Sequence, residues 1–215
     1  MSTPSKEVPQ TQTTSVPGPR TSEEPTITAT ATPITAAAPT SGITATATKM
    51  LALLRMGLGL VFAWAFLDKL FGLGYSTPDA RAWINGGSPT RGFLGSIDQG
   101  PFASMFRSMA GTWWADWLFM IALAGLGTAL LLGIGMRIAA VAGTVLMGMM
   151  WMAEWPPAQT TNAGQPTGST NPLIDYHVIY AIAMIALATL YAGRRWGLGR
   201  MWSELPIVQR NRWLI

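Results

Sequence analysis

No cysteine occurs in the 215 residues, and there is a single histidine, His177. The lack of thiols excludes a disulfide framework, a thiol nucleophile, a CxxC redox centre and an iron–sulfur cluster held by this chain. Any electron transfer then needs a substrate quinone, a bound organic cofactor or a partner subunit. Charge is scarce as well: Asp, Glu, Lys and Arg make up 11% of the chain, against roughly 25% in soluble domains. With 49% hydrophobic residues, that scarcity points to lipid as the solvent. The net charge of +4 is modest and sits mostly at the carboxyl end beside an apolar run. It reads as a topology signal, not as a nucleic-acid footprint.

What is present is apolar and patterned. Residues 51–71 form a run that crosses a hydrocarbon core of roughly 30 Å as an α-helix at about 1.5 Å per residue. Further spans are expected at about 113–134, 138–155 and 173–191, giving an all-α membrane four-helix bundle over residues 49–200. Gly133-Ile-Gly-Met-Arg137 leaves so short a connection that the second and third spans form an antiparallel hairpin. Rows of small residues, Gly125-Ala129-Gly133 and Ala140-Thr144-Gly148, are expected to let neighbouring helices approach closely.

The segments outside the spans differ in kind. Residues 1–48, rich in Thr, Pro and Ala and without an aromatic residue, read as a disordered tail with no secretory signal. The first loop, residues 72–112, carries two helix signals: the Thr77-Pro78-Asp79 start, and Phe102, Met105, Phe106 and Met109 at helical spacing. Both suit short helices at the membrane interface. Residues 158–170 read as a flexible loop, Asn171-Pro172 as the start of the last span, and residues 201–215 as an interfacial tail. Lys49, Arg137, Arg194, Arg195 and Arg200 adjoin the spans on one side, which puts both termini in the cytoplasm.

That topology brings Asp68 and Lys69, Asp116, Glu154, and Asp175 with His177 to the outer side, from four helices. Each has a plain alternative: Asp175 complements a helix amino terminus, Asp116 sits among headgroups, Lys69 snorkels, and His177 is a satisfied structural residue. Metal binding is not expected, because neither a His pair nor a His-x-x-Glu spacing is present. A proton relay through His177 suits quinone reduction, which consumes two protons. Arg55 lies deep in the first span, fourteen residues before Lys69 and about 40° off its face, and needs a partner or a polar ligand. The Met and Trp side chains (13 and 10) read as packing, or as an apolar slot for a quinone ring.

Taken together, Leu54-Arg55-Met-Gly57, Asp68-Lys69-Leu70, Trp83-Ile-Asn-Gly-Gly-Ser-Pro89, Leu132-Gly-Ile-Gly-Met-Arg137 and Asn171-Pro-Leu-Ile-Asp175-Tyr-His177 resemble the DoxX/DoxD-like membrane proteins. The resemblance spans about residues 50–200. It implies a bundle similar to the DoxD subunit of thiosulfate:quinone oxidoreductase, in a bacterial cell membrane. On that reading Lys69 with Arg81 or Arg91 attracts the sulfur anion, with Arg55 as a further binding residue. His177, Asp175, Glu154 and Asp68 handle protons, and quinone is the acceptor, with no bound cofactor evident. Expected partners are the lipid, other membrane redox subunits or further copies of the chain. The alternative is a non-catalytic accessory or assembly subunit of a membrane redox complex.

Overall fold

A computed structural model describes residues 44–214; the tail predicted for residues 1–48 lies outside them as far as residue 43. The described residues form helices with no strand ladder, and three of the helices are long and apolar enough to cross a membrane. The first, α1 (Ala45–Phe71), begins inside the stretch expected to be tail. The Thr44 hydroxyl accepts from the Ala47 amide at 3.2 Å, and the alternating Ala and Thr that follow contain no breaker. At 27 residues α1 is about 40 Å long, more than a hydrocarbon core requires. It stops at Gly72, whose left-handed backbone (φ 66°) returns an amide to the Asp68 carbonyl.

The next two helices, α4 (Trp113–Leu132) and α5 (Met136–Glu154), follow two short loop helices, α2 (Arg91–Ser96) and α3 (Ala103–Met109). Only residues 133–135 connect α4 to α5, with Gly133 and Gly135 both left-handed, so the expected hairpin is as tight as the sequence implies. The fourth apolar helix, α6 (Tyr176–Thr189), is shorter than expected at 14 residues, or about 21 Å. Two cap signals lie four residues apart. The first, Asn171, uses its side-chain oxygen on the Leu173 and Ile174 amides and makes only a turn, leaving Asp175 to open the helix.

Helix α1 packs along α4, and α5 along α6; α4 and α5 contact each other less. The core between them holds Leu58, Phe62, Leu123, Leu126, Leu130, Met147, Met184 and Leu187. Of the glycines in the expected rows only Gly133 makes a close approach, to Gly193; between the long helices the close contacts fall on Gly127 and Gly143. A Cβ on Gly127 would stand 2.8 Å from the Ala63 nitrogen, and one on Gly143 2.4 Å from the Met184 sulfur. Gly125 and Gly148 instead face outward into open space. In α5 a second small row, Gly135-Ala139-Gly143, competes with the expected one, and in α4 Gly127 stands alone between Leu123 and Leu131, so spacing does not say which face meets the neighbour.

The first loop folds over one end of this bundle. Its first helix signal yields two 3-10 turns, Asp79–Arg81 and Trp83–Asn85, because left-handed Gly86 ends the run and Gly87 lies against the Arg81 carbonyl. Its second signal yields α3, whose Phe106 packs with Ile97 and Ala153 in a small core of its own. Residues 158–170, expected to be flexible, form a small hairpin closed by Thr161 N–H to Gln165 O (2.7 Å) and Thr167 N–H to Gln159 O (3.0 Å). Asn162 at its tip donates to Asp98 through both its amide and its side chain, tying it to the first loop. At the opposite end, α7 (Gly199–Glu204) and α8 (Pro206–Arg210) close the chain, with the Trp202 indole donating to the Leu214 carbonyl.

Candidate functional site

Arg55 is fully buried at the end that carries the α4–α5 hairpin. Its guanidinium donates to the carbonyls of Leu130 and Leu131 at the end of α4, and to those of Arg195 and Trp196 in the segment after α6. The Leu130 and Leu131 carbonyls are helix-terminal acceptors with no intrahelical partner, and the negative end of the α4 dipole suits a cation. Arg55 therefore binds the chain's own backbone and is not placed to bind substrate, as the sequence reading had it. Glycines make room for it: Gly133, Gly193 and Gly199 meet so closely that a Cβ on Gly193 would stand 2.2 Å from the Gly133 oxygen.

The acids expected to converge do lie at the other end, but in three separate knots. Asp68, 1% exposed, accepts from the amides of Tyr75 (3.2 Å) and Ser76 (3.0 Å) and from the Ser76 hydroxyl (2.6 Å). Asp116, also buried, accepts from the Ser88 hydroxyl (2.8 Å), the Thr90 amide (3.1 Å) and the Thr90 hydroxyl (2.6 Å). Each carboxylate thus pins one stretch of the first loop to a helix end. With its oxygens committed to the loop, Asp68 is a fold residue, which corrects its expected part in proton handling.

The third knot has a different character. Asp175 caps α6, its Oδ1 accepting from the amides of His177 (3.1 Å) and Val178 (3.2 Å), while its Oδ2 lies 2.7 Å from His177 Nδ1. That contact holds the proton of the neutral imidazole on Nδ1 and leaves the Nε2 lone pair facing Glu154 Oε1 at 4.0 Å. The Tyr176 hydroxyl donates to the same Glu154 oxygen at 2.9 Å, and its ring covers the imidazole with centroids 3.9 Å apart. His177 is 1% exposed, whereas the Glu154 side chain is 36% exposed, so the pair joins an interior base to an accessible acid. One water, or a small swing of Glu154, closes the gap for proton transfer. The ligand atoms of Glu154, Asp175 and His177 lie within 4.8 Å of one another. With Asp175 committed to amides and Nδ1, two donors remain, short of the three protein ligands of a catalytic zinc site.

Glu154 also lines a cavity of about 670 Å³ between α4 and α5, roofed by α2, α3 and the first loop. The walls are apolar, with Phe93, Phe106, Trp114, Leu118, Phe119, Met149 and Met150 among them. Polar groups gather at the end covered by the first loop: Lys69, Arg81, Ser88, Thr90 and Glu154. The Lys69 ammonium stands 6.0 Å from the Phe119 ring centre and 3.4 Å from the Ser76 hydroxyl. Arg91 is not on this wall: α2 carries it away to lie over Gly111, which corrects its expected place beside Lys69.

The structure thus brings Lys69, Arg81 and Glu154 to one cavity, backed by His177 and Asp175, and sets Asp68, Arg91 and Arg55 apart. Sequence reasoning missed Tyr176, Ser88 and Thr90. The signal for Tyr176 lay in plain view between Asp175 and His177; Ser88 and Thr90 are ordinary loop residues by sequence. Comparison with protein families, with curated proteins and with solved structures finds no match to this chain.

Proposed function

We propose that this chain is a quinone-binding, multi-pass subunit of a bacterial membrane oxidoreductase, of the DoxX/DoxD kind that its motifs resemble. One observation carries the reading. Glu154 belongs at once to the wall of an apolar cavity and to a buried Asp175–His177 pair, so a ring bound in the cavity meets a proton supply. On this reading Lys69 and Arg81 hold the polar edge of the quinone or draw an anion to it. Glu154, which is 36% exposed, passes a proton inward to the ring and is refilled from water, while His177 Nε2, its tautomer fixed by Asp175, accepts a proton on the interior side. The donor that the resemblance suggests is thiosulfate. Two thiosulfates join through a new sulfur–sulfur bond as tetrathionate and release two electrons, and the quinone takes these with two protons to become quinol.

Orientation follows from the basic residues. The end bearing Arg137, Arg194, Arg195 and Arg200, at which α1 also begins, faces the cytoplasm, and the roofed, polar end of the cavity lies toward the outer side. Partners are further redox subunits or other copies of the chain.

The test is thiosulfate-dependent reduction of a quinone analogue in membranes carrying this chain, beside Glu154→Gln, His177→Ala and Lys69→Ala. Expected is activity that each substitution lowers by about a hundredfold at equal protein level, in the range for loss of a general acid or base. Activity equal to that of membranes without the chain would overturn the enzyme reading. The accessory-subunit reading would then take its place. What favours it is that Asp68, Asp116 and Arg55 all serve the fold.

A further inference from the structure

We infer that the cavity takes its ligand sideways from the bilayer, through an opening between α4 and α5, and that the ligand is a quinone with a long apolar tail left in that opening. The inference rests on the quinone reading above and adds the route and the tail.

Helices α4 and α5 are tied together at Gly133–Gly135 and touch near Leu126 and Gly143, where a Cβ on Gly143 would stand 3.3 Å from the Leu126 side chain. Beyond that point the residues facing each other, such as Leu118 on α4 and Val145 on α5, line the cavity instead of meeting. Leu118 and Val145 are each 59% exposed, and Ala142 beside them is exposed too. All three lie inside helices that are long and apolar enough to cross a membrane, so the medium at their level is lipid. The slot is therefore open on its side, apolar along its length, and polar only at its outer end.

That shape fits an amphiphile with a flat polar head and a chain that trails into the membrane. The neighbouring proton relay chooses the head: Lys69 and Arg81 can donate to a phosphate or to a ring carbonyl, but of the two only a reducible ring uses the protons of the Glu154–His177 pair beside them. A volume of about 670 Å³ is within the roughly 300–1,000 Å³ of pockets that take ligands of this size.

The experiment is equilibrium binding to the purified full-length chain in detergent, followed by quenching of tryptophan fluorescence, since Trp114 is part of the cavity wall. The probes are a decyl-tailed benzoquinone and its tailless parent. Expected is binding of the tailed probe at least about tenfold tighter than the parent, because its methylenes add packing contacts along the apolar slot. Ala142→Trp, which fills the opening, is expected to erase that difference while the parent binds as before. Val145→Trp repeats the test one turn nearer the head, should the first variant fold poorly. Tailed binding unchanged in a folded variant would overturn the side entry and leave quinone binding standing. Binding of neither probe, or a phospholipid that copurifies and that the probe does not displace, would overturn both.

Discussion

The two ends of this bundle meet the same demand, loose backbone groups at helix ends beside an apolar interior, with opposite charges. At the arginine-rich end a single guanidinium collects four carbonyls, and glycines bring the backbones together with no space for a side chain. At the other end two carboxylates on α1 and α4 collect amides and hydroxyls from a long loop, and that loop covers a cavity between α4 and α5. The first arrangement is closed, with a recess of only about 20 Å³ among its glycines. The second holds a roof over a slot of about 670 Å³, which is why the proposal above is built there.

The comparison breaks first at Arg55. Arg55→Met leaves buried carbonyls without a donor and is expected to cost about 3 kcal/mol or more, read as a large fall in the thermal midpoint of the detergent-solubilised protein. A midpoint within a few degrees of the parent would mean that the closed end does not depend on its cation.

A smaller effect is expected from the glycines. Gly193→Ala forces a methyl against the Gly133 oxygen and should cost about 2 kcal/mol, whereas Gly125→Ala, into open space, should be neutral or slightly stabilising. Equal midpoints for the two variants would sink the claim that packing at that end is tight.

The smallest effect on global stability belongs to the loop anchors. Asp116→Asn keeps the shape and weakens charge-assisted bonds to Ser88 and Thr90, for about 1 kcal/mol. Its sharper readout is limited proteolysis: cleavage within residues 88–112 should speed up while cleavage at residues 193–199 stays as it was. Faster cleavage at both sites would show that the two ends are one cooperative unit.

Much of this architecture could be read from residues alone, for reasons particular to each part. Long apolar runs mark α1, α4 and α5 because lipid requires a helix of a certain length, and Gly133-Ile-Gly135 marks the hairpin because both glycines take left-handed backbone. The gathering of Asp68, Asp116, Glu154 and His177 at one end follows from helix ends alone. Their division into three knots did not follow, since Ser88 and Thr90 lie more than twenty residues from Asp116 and nothing in their type announces the pairing. Arg55 was misread for a related reason: its partners are carbonyls, which every residue has. The start of α6 was misplaced because Asn171 and Asp175 are both good caps, and only tertiary packing selects between them.

The shortness of α6 has a consequence beyond the bundle. Its 14 residues reach about 21 Å, so the hydrocarbon beside it falls short of a core of roughly 30 Å by about 9 Å. Lipid meets such a hydrophobic mismatch by thinning, and the headgroups dip toward the short helix. His177 sits in the first turn of α6, so where α6 crosses a bilayer such a dip at that end brings water toward Glu154. On the quinone reading proposed above, the protons consumed then need no channel through the protein, because a locally thin membrane supplies them from the side.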